Sequence, residues 1–163
     1  MVKRGDKEKL NAYAARVSQA NRSELVVIIF EAFIDSVKEG DARMREGDMP
    51  ACRLEMERAR GFLTELMGSL DFQYEISYYL RRLYVYAYHE ICQGMALRDS
   101  ERFSHANQVM EALLPAFRQV AEQDNSEAVM KNVQQIYAGL TYGRGSLHET
   151  IGVDIGKERG FEA

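Results

Sequence analysis

The sequence predicts an all-α protein: an antiparallel up-down four-helix bundle with a short fifth helix and a flexible C-terminal tail. Only two prolines occur among the 163 residues. Alternating polar and apolar residues, which are typical of half-buried strands, are absent, while apolar residues recur at spacings of three and four along most of the chain. Four long segments of this kind, separated by short connections, favour an up-down bundle.

Capping signals bound the first two bundle helices. The stretch N-R-S-E, Asn21 to Glu24, predicts a helix start followed by a first bundle helix from Leu25 to about Arg45. Asp48 is a suitable N-cap for the second helix, and Pro50 fits its first turn. One apolar stripe of this second helix is predicted to face the core: Cys52, Met56, Ala59, Leu63, Leu66 and Leu70.

The third bundle helix is predicted from about Glu75 to Leu97, and the fourth begins at Asp99 and Ser100. Pro115 predicts a kink in the fourth helix, because proline lacks the N–H that the helix ladder requires. The inward residues of this helix are predicted to be Phe103, Ala106, Met110, Leu114 and Phe117. A shorter fifth helix is expected from Ser126 to Leu140.

The chain is expected to be one domain with two appendages. Residues 1–20 form an N-terminal segment, residues 21–140 form the bundle, and residues 141–163, which are rich in glycine, form a flexible tail. Leu10, Tyr13 and Val17 have helical spacing, so the N-terminal segment can form a short amphipathic piece.

Composition restricts the classes of function. The net charge of −4 and the pI near 5.5 argue against a nucleic-acid partner. No stretch approaches the ~18 apolar residues of a membrane span, and no secretory signal precedes the bundle, so membrane insertion is not expected. Cys52 and Cys92 lack any disulfide or metal-binding spacing, which favours reduced thiols in the cytoplasm.

Tyrosines are concentrated in the third bundle helix. Six of the nine tyrosines lie between Tyr74 and Tyr88. At ~100° per residue, the central core stripe of this helix is predicted to be Ile76, Leu80, Leu83, Ala87 and Ile91. Four tyrosines flank the stripe and are predicted to have buried rings at the edge of the core: Tyr79, Tyr84, Tyr86 and Tyr88.

Two helices carry a second apolar face that a simple bundle does not need. On the third helix this face consists of Tyr74, Tyr78, Val85 and Cys92. On the first helix, Val27, Phe30 and Ile34 lie apart from the face formed by Leu25, Ile29, Ala32 and Phe33. Either the fifth helix or the N-terminal segment covers these faces, or they form a surface for a partner.

Enzymatic motifs are not found, and neither a catalytic site nor a cofactor is expected. The three histidines have no metal-ligand spacing, and the glycine-rich stretch from Gly139 to Ser146 follows a helix instead of a strand, so it is not a phosphate loop. His89 lies on the outer side of its helix, as a phosphotransfer histidine does. Its context H-E-I-C-Q-G has cysteine where the H-x-x-K-G pattern requires lysine.

Four stretches resemble the flagellar secretion chaperones of the FliS family, and one of them is M-K-N-V-Q-Q-I-Y-A-G-L-T-Y-G-R-G-S-L, Met130 to Leu147, which looks like the tail of some members. The most specific is S-L-D-F-Q-Y-E-I-S-Y-Y-L-R-R-L-Y-V-Y, Ser69 to Tyr86, which is similar to the family's Ser-Leu-Asp, a short turn, and Glu-Ile-Ala-x-Asn-Leu-x-x-Leu-Tyr-x-Tyr. Tyr13 followed by S-E-L-V-V-I-I-F resembles the family's opening. L-L-P-A-F-R-Q-V-A, Leu113 to Ala121, is similar to its late Leu-Leu-x-x-Leu-Arg-x-Ala-Trp, with Ala121 in place of the tryptophan.

The resemblance covers residues 10–147 and implies a cytoplasmic, all-helical chaperone. Such a protein binds the disordered C-terminal segment of flagellin, prevents premature polymerisation and aids secretion, and other flagellar proteins are further candidate partners. The resemblance also implies that the N-terminal segment covers a client groove. The predicted partner-binding residues are Tyr13, Val27, Phe30, Ile34, Tyr74, Tyr78, Val85 and Cys92.

Two other interpretations stay open at this stage. One is a signalling bundle of the histidine phosphotransfer type, which would accept phosphate on His89. The other is a structural helical bundle that self-associates through its second apolar faces.

Overall fold

The computed structural model describes residues 4–130, and these form five α-helices without a strand. The helices are α1 (Arg4–Gln19), α2 (Arg22–Arg45), α3 (Met49–Gly68), α4 (Glu75–Leu97) and α5 (Ser100–Gln123). The predicted all-α class is confirmed, and the four predicted bundle helices correspond to α2 through α5.

The helix starts follow from the polar caps in the sequence. Asn21 and Glu24 form a reciprocal capping box, in which the Asn21 side chain accepts from the Glu24 N–H and the Glu24 carboxylate accepts from the Asn21 N–H, both at 2.9 Å. Asp48 accepts from the Ala51 N–H at 3.1 Å, and Asp99 accepts from the Glu101 N–H at 2.9 Å. Because these capping signals are local, the helix starts could be predicted well from the sequence.

Helices α2 to α5 form a ring around one core. Helix α2 packs between α3 and α5, and α4 packs between α5 and α3, so α2 and α4 lie diagonally opposite each other. The predicted core stripes of α3 and α5 are buried or packed against the core. Gly40 permits a close approach of α2 and α3, since a Cβ there would lie 2.7 Å from the Met56 Cε.

The N-terminal segment forms a helix of its own, α1, which lies on α2. The Tyr13 hydroxyl donates to Asp35 at 2.7 Å, and Arg16 donates to Glu31 one turn further along. Residue numbers therefore rise along α1 as they fall along α2, which makes the two helices antiparallel. Leu10 is exposed, so the contact is made largely by polar side chains.

Two local predictions need correction or fall outside the described residues. Helix α5 continues through Pro115, so the proline does not end it, and the predicted kink stays a prediction. Residues 124–128 are not helical, so the predicted start of a fifth bundle helix at Ser126 is wrong, and only Val129 and Met130 are helical. The rest of that predicted helix and the predicted tail, residues 141–163, lie outside the described residues.

Within residues 4–130, no helix combines sufficient length with sufficient apolar character to cross a membrane.

Candidate protein-docking surface

One stripe of α4 passes from the core into solvent along the length of the helix. The exposed fraction of its side chains rises from 0% at Ala87 through 36% at Leu83 to 61% at Ile76. The predicted central stripe is therefore correct for Ala87 and Ile91, which are buried, and wrong for Ile76 and Leu83. The loop before α4 is tied to its first turn, because the Ser77 hydroxyl donates to the Asp71 carbonyl at 2.6 Å.

The buried part of this stripe is fixed against α5. Gly94 lies so close to Phe103 that a Cβ on the glycine would be 2.5 Å from the phenylalanine Cε1. One turn earlier, Glu90 accepts from Arg102 at 2.9 Å and lies 3.1 Å from the His105 Nδ1. These contacts define the antiparallel register of the two helices.

The same register identifies what lies beside the exposed part of the stripe. If the antiparallel pairing of α4 with α5 is continued toward the start of α4 at the same rise per residue, Leu83 lies beside Leu113 and Ile76 lies beside Val120. We call this region the α4–α5 apolar surface, which consists of Ile76, Tyr79, Leu83, Tyr86, Leu113 and Val120. All but Leu113 are exposed, and Leu113 is half-buried. A contiguous apolar area of this kind is typical of a site of interaction.

The tyrosines divide between core and surface differently from the prediction. Tyr84 is buried, with its ring 6.1 Å from that of Phe30, and burial raises the pKa of its hydroxyl. Tyr88 is half-buried under the Arg60 guanidinium, 5.9 Å from the ring centroid. Tyr79 and Tyr86 are exposed, so the prediction that their rings are buried is wrong.

The predicted second face of α4 is exposed. Tyr74, Tyr78 and Val85 are open to solvent, Cys92 is half-buried, and the Tyr78 ring contacts only the neighbouring loop residue Phe72 at 5.1 Å among the described aromatic pairs. Together with the α4–α5 apolar surface, this face makes most of the exposed side of the first three turns of α4 apolar.

The predicted second face of α2 is instead part of the core. Val27, Phe30 and Ile34 are buried, because α3 and α5 flank α2 on both sides. Phe30 lies between two rings, 4.7 Å from Phe117 in addition to Tyr84. The expectation of an exposed second face on α2 is therefore wrong. Its cover is made by the bundle helices α3 and α5, whereas the coverage that was predicted came from the segment 126–140 or the N-terminal segment.

Tyr13 has an intramolecular role in this structure. Burial and the Asp35 carboxylate both raise the pKa of the Tyr13 hydroxyl, which donates to that carboxylate. Nearby, Glu31 accepts from Arg16 of α1 and from Arg118 of α5, the latter at 3.0 Å. Burial raises the pKa of Glu31, but the two arginines outweigh it and leave that pKa below its usual value.

A polar cleft of about 250 Å³ lies where α1, α2 and α5 meet. Its lining includes Arg16, Glu24, Val27, Glu31, Arg118, Ala121 and Glu122. Helix α1 closes one side of this cleft, and Val27 is the one predicted partner-binding residue that lines it. Charged side chains dominate the lining, so the cleft differs in character from the α4–α5 apolar surface.

Glu90 is a structurally important residue that sequence reasoning missed. Its side chain is almost completely buried, and two cationic or potentially cationic groups contact it. Burial raises its pKa, but the hydrogen bonds from His105 and Arg102 prevail and lower the pKa below its usual value. A glutamate on an otherwise apolar helical stripe was the only available signal.

Within residues 4–130, no cluster of three or more His, Cys, Asp or Glu side chains could hold a metal ion. His89 is exposed, with its Nε2 3.3 Å from the Gln93 amide nitrogen. Cys52 and Cys92 are free thiols.

Comparison with known proteins gives one family. Residues 7–124 match the family described as flagellar protein FliS. This range contains α2 to α5 entirely and most of α1. No curated protein matches the chain.

Proposed function

Because this chain belongs to the FliS family of flagellar proteins, we propose that it is a cytoplasmic export chaperone that binds the disordered C-terminal segment of flagellin. Bound in this way, the segment is kept from premature polymerisation and held ready for secretion. The observation that carries the proposal is the exposed apolar character of the first three turns of α4.

This surface suits a client that is unfolded on its own. A disordered segment loses conformational entropy when it binds, so it needs contacts spread over a long surface. The α4–α5 apolar surface offers such contacts at successive turns of two helices. Tyrosines add large apolar area yet keep a hydroxyl that water can solvate when the client is absent.

The predicted partner-binding residues contribute unequally to this proposal. Tyr74, Tyr78 and Val85 adjoin the α4–α5 apolar surface, and we assign them to the client site together with it. Tyr13 is half-buried and bonded to Asp35 of α2, so its hydroxyl becomes free for a client when α1 leaves α2. The predicted partner-binding residues on α2 are Val27, Phe30 and Ile34. They would have to leave the core to contact a client, so we assign them to folding stability.

Titration calorimetry with a peptide of the flagellin C-terminal segment tests the proposal. We expect a one-to-one complex with a negative heat-capacity change, because apolar area leaves water on binding. Tyr79→Ala should weaken binding by about tenfold, since an aromatic anchor typically contributes more than 1 kcal/mol.

A matched pair of leucine variants locates the site. Leu83 lies on the α4–α5 apolar surface, whereas Leu54 is exposed on α3. Leu83→Ala should weaken binding of the segment, and Leu54→Ala should leave it unchanged. Equal effects of the two variants would move the site away from α4, and the absence of both heat and co-elution with the segment would contradict the proposed function itself.

A further inference from the structure

The described chain ends at the end of the bundle where the α4–α5 apolar surface begins. After α5, the Asp124 carbonyl accepts from the Asn21 side chain at 2.9 Å, and the Val129 N–H donates to the Ala20 carbonyl at 3.1 Å. The last turns of α5 and the first turn of α4 are at this same end, because the two helices are antiparallel. Residues that follow Met130 therefore start beside α2, at the same end of the bundle as Ile76 and with α5 between them.

The sequence beyond Met130 carries a short amphipathic pattern. Val133, Ile136, Tyr137 and Leu140 have the spacing i, i+3, i+4 and i+7, which places four apolar side chains on one helical face. Gln134 and Gln135 fall on the other side. As a helix, Val133 to Leu140 would be roughly 10 Å long, the same as the seven-residue step from Ile76 to Leu83.

The connection is long enough for these residues to reach the surface. Fully extended, residues 130–133 span roughly 10 Å. Neighbouring helices pack with axes 8–10 Å apart as a rule, so this length carries the chain from the start of α2 to the end of α5, the helix that contributes Val120 to the surface.

We propose that residues 133–142 of this chain dock as a helix on the α4–α5 apolar surface and compete there with the client. This inference rests on the proposed function of that surface. A helix this short is marginal in isolation, so docking would supply its stability. Tethering gives the segment an effective concentration in the millimolar range, which free partners and second copies of the chain do not reach at ordinary protein concentrations.

Charge substitutions in the full chain test the competition. Ile136→Glu with Leu140→Glu places two carboxylates on the docking face, whereas Gln134→Glu with Gln135→Glu adds the same charge on the other side. The first double variant should bind the flagellin segment about threefold to tenfold more tightly than the unmodified chain, because the competent fraction of the surface rises. The second should bind like the unmodified chain. Equal affinities of both variants would overturn the inference and leave the proposed function intact.

A readout without flagellin separates the two hypotheses. A synthetic peptide of residues 129–142, added to the Ile136→Glu, Leu140→Glu variant, should shift the NMR methyl signals of Ile76 and Leu83, and a further Tyr79→Glu substitution should abolish the shifts. Shifts without any binding of flagellin would support the inference while contradicting the proposed function. The absence of shifts would overturn the inference. A molecular mass that doubles with protein concentration would also overturn it, because a second copy of the chain would then cover the surface.

Discussion

The two halves of α4 carry the same apolar stripe but have opposite environments. In the C-terminal half, Ala87, Ile91 and Gly94 are buried, and the helix is held against α5 by contacts to Phe103 and Arg102. In the N-terminal half, the stripe continues through Leu83, Tyr79 and Ile76 but faces solvent. We call the buried C-terminal half the closed half of α4 and the exposed N-terminal half its open half. Periodicity therefore identifies which residues share a face, and the closeness of the neighbouring helix determines whether that face is covered.

The largest difference between the halves should be seen in folding stability. Ile91→Ala removes a fully buried side chain and should lower the free energy of unfolding by about 2–5 kcal/mol. Leu83→Ala removes a side chain already partly in water and should cost about 1 kcal/mol or less. Urea denaturation of both variants provides the measurement, and equal losses would mean that the two halves of α4 are equally buried in solution.

A second test addresses the contact that holds the closed half together. Glu90→Gln leaves Arg102 and His105 without their shared carboxylate and should lower the free energy of unfolding by about 1–2 kcal/mol, a value kept small because both partners are partly solvated. Glu65→Gln, at an exposed position of α3 where no ion pair is found, is the control and should have little effect. A loss no larger than that of the control would show that the ion pairs do not stabilise the closed half.

The pH dependence of stability tests the end of the bundle next to the open half. Hydrogen bonds from Ser126 and Ser23 lower the pKa of Asp124 from its ordinary 3.8 to about 2. Its contribution is therefore complete above pH 3.8 and is lost as the pH falls toward 2. Asp124→Asn should make the urea midpoint fall less steeply over this range, whereas Glu122→Gln, an exposed control two residues away, should not change the slope.

The smallest effects on stability are expected in the open half. Tyr78→Ala and Ile76→Ser should change the free energy of unfolding by about 0.5 kcal/mol or less, because neither side chain is covered. Both should nevertheless weaken binding of the flagellin segment. Thermal melts and titrations on the same samples make the comparison, and a large loss of stability for either variant would place the open half in the core.

Helix positions were predictable from the sequence because their signals are local. Asn21, Asp48 and Asp99 cap the helices they were expected to cap, and the predicted limits of α4 agree with the structure. The stripes on α3 and α5 were also predicted well, since each of these helices has a single apolar face.

The candidate site was less predictable, because coverage depends on residues distant in sequence. Phe30 and Tyr79 are both aromatic residues at the edge of a helical stripe. Phe30 is enclosed by Tyr84 and Phe117, whereas Tyr79 is exposed and is in none of the described aromatic pairs. The polar attachment of α1 through Tyr13 and Asp35 was likewise not visible, since it joins residues on different helices without an apolar pattern.

The contacts of Asp124 with Asn21 and Ser23 also determine the order in which the bundle can close during synthesis. These hydrogen bonds join residues 103 and 101 positions apart, so they cannot form until almost the whole bundle has left the ribosome. Helices α2 and α3 are adjacent both in the chain and in space and can pair early. Until α5 arrives, the side of α2 that contains Phe30 lacks its cover, and the nascent chain exposes an apolar surface that the finished protein does not have.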